Sequence, residues 1–356
     1  MSSGARALGI PFDGVPGPHN AITDVSGLEV GYVTLIEGHG ALRLGHGPVR
    51  TGVTAIVPRG REHVGSSCAA GMHSFNGNGE LTGAHWLAET GLLSTPVLIT
   101  NTYGVGACHR GVVDWMNLRQ SHRTPWDFPV VGETYDGYLN DVNGSHVTAE
   151  HAVRAIDNAV GGPVAEGSVG GGTGMNCYGF KGGSGTASRL VEFGGRTYTL
   201  GAFIQANFGR RRDLTIAGRP VGKRLLDDNP LEDWHLPPGA GSAIVVVATD
   251  APLLPQQCAA LARRVTIGLG RTGTYGTHSS GDVFLALSTA NHGALDSTEL
   301  SRLEFLPWSG IDGFFEATVQ AVEEATVNSM AVNETMIGRD GHRSPALPHA
   351  ALLDLL

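Results

Sequence analysis

The chain has 356 residues, 41% apolar and 16% charged, which excludes a disordered protein and leaves room for a sizeable core. A net charge of −9, with no basic stripe to offset it, argues against a protein that tracks nucleic-acid phosphates. No apolar run approaches the ~20 residues of a membrane span, and the amino-terminal residues lack the apolar core of a signal peptide. Cys68, Cys108, Cys177 and Cys258 are too widely spaced for a zinc knuckle, so the expectation is a cytoplasmic protein with reduced, buried thiols.

In chain order, residues 10–25 are turn-rich and end on Asn20 to Val25, read as an entry strand or ordered arm. Strands are expected over 28–35, 52–57 and 96–102, and helices over 81–89, 107–118 and 148–160. The Gly-rich run 167–175 is followed by no Gly-Lys-Ser/Thr in register and by a Gly-broken segment rather than a helix. Close backbone packing or a channel wall is expected there, not a phosphate cradle. Paired strands are expected over 188–192 and 197–207, around Gly194-Gly195. Residues 209–241 are polar and aperiodic, read as a long surface loop of the kind that is functional or cleaved, with Arg210-Arg211-Arg212 solvated. Strand 243–249, helix 253–268, strand 283–288 and helix 311–336 follow, then loop from Gly338. The pattern is one mixed α/β domain over residues 1–356.

The stretch around which the chain is organised is Pro237-Pro238-Gly239-Ala240-Gly241-Ser242, opening the apolar run Ala243 to Thr249. Serine is a weak strand former, yet here it starts a core strand. Two readings stand: Ser242 ends a loop, or the chain is cut between Gly241 and Ser242. A cut would give Ser242 a free α-amine, with an ordinary pKa of ~7.7–8.0, to serve as base for its own hydroxyl. Other polar groups sit at strand ends: Gln205-Ala206-Asn207, Ser280-Gly281-Asp282, and the cluster Glu133 to Asp141. Each alone reads as a turn or cap.

Taken together, these segments resemble the P1 peptidases: the DmpA/BapA-type L-aminopeptidase D-esterase/amidases and β-aminopeptidases. The resemblance runs from Leu8 to Gly14 and Asn20 to Val25, through Asn76 to Gly83, Glu133 to Asp141, Gly170 to Met175, Phe180 to Arg189, Gln205 to Gly209 and Gly241-Ser242, to Ser280-Gly281-Asp282. It implies an α+β fold, an αββα sandwich like that of N-terminal-nucleophile hydrolases. It implies self-cleavage into residues 1–241 and 242–356, held together in a homo-oligomer, commonly a tetramer. Ser242 matches the nucleophile, its freed amine the base, Asn207 the oxyanion donor, and Ser280 with Asp282 the pair that orients the nucleophile. Several members have Glu where this chain has Asp282. Glu133 matches the carboxylate that receives the substrate's amine, Tyr135 the site phenol, and Tyr138 a neighbour. The reaction implied is release of an amino-terminal residue from a small peptide, amide or ester through an acyl-Ser242, with no metal and no cofactor. Alternatives are a self-processing acyltransferase of the ornithine acetyltransferase type, whose nucleophile is Thr rather than Ser, and a non-catalytic binding paralogue.

Overall fold

A computed structural model of the chain describes residues 4–122, 126–234 and 240–356. Its strands are β1 (Glu29–Glu37), β2 (Val49–Val57), β3 (Cys68–Ser74), β4 (Leu92–Leu93), β5 (Val97–Asn101), β6 (Val130–Thr134), β7 (Asn176–Cys177), β8 (Phe180–Lys181), β9 (Gly183–Phe193), β10 (Arg196–Asn207), β11 (Gly241–Thr249), β12 (Ser280–Ser288), β13 (Met336–Ile337) and β14 (Arg343–Ser344). Its helices are α1 (Ala84–Thr90), α2 (Val105–Arg119), α3 (Ala149–Asp157), α4 (Pro255–Arg271), α5 (Asp312–Ala331) and α6 (His349–Leu353). Among the described residues the strands form a four-stranded sheet in the order β1-β2-β5-β6 and a six-stranded sheet in the order β4-β3-β12-β11-β10-β9, besides the pairs β7-β8 and β13-β14.

The period-2 alternation of β11 shows how the layers arise. Ile244, Val246 and Ala248 pack with Ile56, Val97 and Ile99 between the two sheets. Ala243, Val245 and Val247 point the other way, against Cys258, Leu261 and Val265 of α4 and Val322 and Ala325 of α5. On the far side of the four-stranded sheet, Val53, Ala55, Leu98 and Val131 meet Cys108, Val112 and Met116 of α2 and Ala152 and Ile156 of α3. The order of layers is therefore helix, sheet, sheet, helix, the αββα sandwich expected from the sequence. Because β11 is buried on both faces, nearly every residue in it is apolar, and Ser242 stands out.

Several elements depart from the sequence reading. Residues 22–24 form a 3₁₀ turn rather than a strand. β3 went unread because Cys-Ala-Ala-Gly lacks β-branched residues; a Cβ at Gly71 would collide with the Ala259 backbone of α4, so closeness to the helix selects small side chains. The same reason carries β9 back to Gly183: a side chain at Gly185 would overlap the Ala325 carbonyl of α5. β6 was not expected; its last two residues, Glu133 and Thr134, open what read as a polar cluster. α5 stops at Ala331, five residues short of the expected end, where Asn333 Nδ2 turns back to the Ser329 carbonyl at 2.6 Å.

Residues 209–234 are only in part a solvated loop. Leu214, Ile216 and Val221 are core residues, and Arg211 is only 3% exposed. Its guanidinium lies over the Phe180 ring and donates to the carbonyls of Tyr178 and Leu225 at 2.9 and 3.0 Å. Pro237, Pro238 and Gly239 of the expected loop lie outside the described residues. The Gly-rich run does pack closely: Gly170 to Gly174 form a buried 3₁₀ turn, where a Cβ at Gly171 would strike the Ile99 carbonyl and Gln205. All four cysteines are buried and unpaired, as expected.

Candidate active site

Ser242 is the second residue of β11 and is 2% exposed. Alternation puts its hydroxyl on the face shared by Ile244 and Val246, towards the four-stranded sheet. There the main-chain N–H of Tyr135, one residue past β6, donates to Ser242 Oγ at 3.2 Å. Strand β6 reaches β11 because Gly132 has no side chain; a Cβ there would press on Ile244.

The neighbours of Ser242 follow from strand register. Asn207 is opposite it on antiparallel β10, and Gly281 on parallel β12. Asn207 closes its strand on the same face as Ser242. Its Nδ2 donates to the Tyr135 carbonyl at 2.8 Å, and its Oδ1 accepts from the Asn176 N–H at 2.9 Å. Both amide ends are thus fixed, with N–H on the Tyr135 side. Gly281 is required by a close approach: a Cβ would overlap the Asn78 carbonyl of the loop that covers it.

Ser280 and Asp282 flank Gly281, so alternation turns them to the opposite face from the Ser242 hydroxyl. Ser280 Oγ donates to Asp282 Oδ1 at 2.8 Å. Asn76 grips Asp282 reciprocally, Nδ2 to Oδ2 at 3.2 Å and the Asp282 N–H to Oδ1 at 2.8 Å. Burial raises the Asp282 pKa, opposed by hydrogen bonds from Ser280, Asn76 and the Ala243 main chain. The pair therefore lies beside the backbone at Ser242-Ala243 rather than at the hydroxyl.

Glu133, on β6, is 4% exposed. The Thr102 hydroxyl donates to Oε2 and the Glu80 N–H to Oε1 at 3.2 Å. Burial raises its pKa against these two donors, and the charge of Glu80 adds to the rise. Tyr135 is half-buried, its phenol folded over Gly137, and burial raises its pKa too. Tyr135, expected at the site for its phenol, meets Ser242 through its backbone N–H. Tyr138 is held in a separate ring cluster. It stacks on His342 at 4.8 Å, meets the edge of Trp234 at 5.2 Å, and donates its hydroxyl to the Arg343 carbonyl at 3.2 Å.

Sequence reasoning assigned no role to Asn76, Thr102 or Asn176. Asn76 stood in a quoted segment, but nothing local ties it to Asp282, 206 positions away. Among the described residues no group of three or more His, Cys, Asp or Glu is placed to hold a metal ion.

Comparison with known proteins gives the family. The family model described as "Peptidase family S58" matches residues 20–344. The chain is 49% identical over 363 residues to the beta-peptidyl aminopeptidase BapA of Sphingosinicella microcystinivorans, covering 99% of this chain and 91% of that one. Among solved structures it is similar to the L-aminopeptidase D-Ala-esterase/amidase of Ochrobactrum anthropi, described as a prototype for the serine aminopeptidases and a new variant of the Ntn hydrolase fold. That match has TM-score 0.93 and 48% identity, over 100% of this chain and 98% of the other. It is also similar to a Burkholderia sp. beta-aminopeptidase, with TM-score 0.88 and 46% identity, over 99% and 98%. The chain thus belongs to peptidase family S58 and is an aminopeptidase/amidase built on a variant of the N-terminal-nucleophile hydrolase fold.

Proposed function

We propose that the chain cuts itself between Gly241 and Ser242 and then uses Ser242 as the nucleophile of an aminopeptidase that acts on short peptides, amides and esters, including those that begin with a β-amino acid. The observation that supports this best is the surroundings of Ser242: a buried hydroxyl opening a core strand, with a fixed side-chain amide opposite and a carboxyl-hydroxyl pair beside its backbone. In the uncut chain the Ser242 hydroxyl attacks the Gly241 carbonyl. The Gly241–Ser242 C–N bond breaks to free the α-amine with the hydroxyl's proton, and water hydrolyses the resulting ester to leave a Gly241 carboxylate and a free Ser242 hydroxyl. In the cut enzyme the freed α-amine takes the hydroxyl's proton, and Ser280 with Asp282, beside that backbone, orients the amine. Oxygen charge developing on the substrate carbonyl is met by Asn207 Nδ2 and the Tyr135 N–H, and water then hydrolyses the acyl-Ser242. The similarity to a beta-peptidyl aminopeptidase supports the extension to β-amino acids. The buried, unpaired thiols support a reducing compartment, the cytoplasm, and the family resemblance supports a homotetramer of processed pairs. Tyr138 acts at most as a wall, since its hydroxyl is engaged. Denaturing electrophoresis and intact mass of purified active protein are expected to give two pieces, 1–241 and 242–356, the second starting with Ser. A single full-length chain in an active sample overturns the proposal.

Glu133 is the proposed receptor for the substrate's ammonium, since a carboxylate in a nearly buried site binds a cation through charge-assisted hydrogen bonds. Glu133→Gln is expected to leave cleavage intact and to raise KM on free-amine substrates on the order of 10- to 100-fold, the worth of a hydrogen bond to a charged group. The raised pKa sets the sign of the pH effect. As pH falls through it, Glu133 is protonated earlier than an exposed Glu, so KM rises. In Glu133→Gln that acid limb is expected to flatten. Rapid hydrolysis of N-acetylated substrates by the wild type counts against this role.

A further inference from the structure

Lys181, on β8, is completely buried. Its Nζ donates to the carbonyl oxygens of Met175 and Gly182 at 2.9 and 2.7 Å. Both are dipoles, a poor exchange for water around an ammonium; burial accordingly pulls its pKa down to about 7. Nor are those carbonyls in need of it. Met175 O also accepts from the Gly182 N–H at 3.0 Å, and Gly182 O from Asn333 Nδ2 at 2.9 Å. A methionine of similar length would fill the space without the cost of a buried charge, so packing and satisfaction alone do not explain a lysine here.

Its position does. The Met175 carbonyl that Lys181 holds belongs to the same peptide group as the Asn176 N–H. That N–H donates to Asn207 Oδ1, and Asn207 Nδ2 faces Tyr135, whose own N–H meets Ser242. A donor on the carbonyl end of a peptide polarises its N–H end, and chains of hydrogen bonds strengthen one another in a low dielectric. The strengthened N–H also holds Asn207 with its oxygen at Asn176 and its nitrogen on the Tyr135 side. The reversed amide would present a lone pair to the developing oxyanion. We propose that Lys181 is a positioning residue that fixes and polarises the Asn207 side chain through the Met175-Asn176 peptide group. This rests on the reading of Asn207 as an oxyanion donor.

The test is a double-mutant cycle of Lys181→Met and Asn207→Ala, with kcat and KM measured on the processed fraction. Lys181→Met is expected to lower kcat roughly tenfold, about the worth of one ordinary hydrogen bond, with KM little changed. In the Asn207→Ala background the same substitution is expected to change kcat less than about twofold, because the group it acts through is gone. An equal loss in both backgrounds overturns the proposal and makes Lys181 merely structural; no loss from Lys181→Met alone overturns it too. A normal kcat for Asn207→Ala instead overturns the oxyanion reading beneath it. If Lys181→Met yields no folded protein, the cycle is run with Lys181→Gln, which keeps an uncharged donor, and the same collapse in the Asn207→Ala background decides.

Discussion

Ser242→Ala is expected to remain a single 356-residue chain with no measurable hydrolysis of an aminoacyl p-nitroanilide. Both losses trace to one atom: the hydroxyl first attacks its own peptide bond and later the substrate. The fold is expected to survive. β11 keeps its ladders to β10 and β12 and its apolar residues on both faces. What the substitution removes is the acceptor of the Tyr135 N–H, a cost of ~1–3 kcal/mol if no water replaces it. Intact mass, circular dichroism and activity on one preparation check all three parts. Wild-type activity from that variant would place the nucleophile elsewhere and remove the basis for the whole site assignment.

Asn207 carries the second large effect. Asn207→Ala is expected to lower kcat by roughly 10²–10³, the range typical for one oxyanion donor, with a smaller change in KM. The variant also orphans the Asn176 N–H and the Tyr135 carbonyl, so a stability loss accompanies it and thermal unfolding must be recorded beside the kinetics. Asn207→Asp separates shape from charge. It keeps the acceptor for Asn176 but puts a second oxygen where Nδ2 stood. If Asn207 acts as a donor, Asp is expected to be at least as damaging as Ala. An Asn207→Asp enzyme within tenfold of wild-type kcat rules the donor role out.

What could be read from the sequence depended on which force selects the residues. β5, β11 and β12 are filled by large apolar side chains buried on both faces, and such runs are visible without a structure. β3 and the start of β9 are built of Ala, Gly and Ser because α4 and α5 press on them. Close approach erases the β-branched signal that marks a strand. Arg211 was misread for the opposite reason: a run of three arginines looks solvated, but the middle one finds buried carbonyls and a ring only in the folded chain. At the site, Ser242 was legible as a polar residue opening an apolar strand, and Asn207 only through the family resemblance. Thr102, Asn176 and Asn76 were not, since each is an ordinary loop or strand-end residue until register brings its partner close.

The central strand has neighbours of two kinds. β10 precedes Ser242 in the chain and β12 follows it, and β11 is bonded to both. The amino-terminal arm also joins the part before Ser242 to the part after it, with Arg6 on Glu324 and the Ala5 N–H on Asn328 of α5. For a chain cut before Ser242, one ladder of β11 becomes a contact between molecules while the other stays within one. Unfolding is then also a dissociation, its midpoint rising with protein concentration, and refolding demands an encounter that the precursor never needed. Such a protein assembles as one body and afterwards endures by the slowness of its unfolding rather than by its ability to fold again.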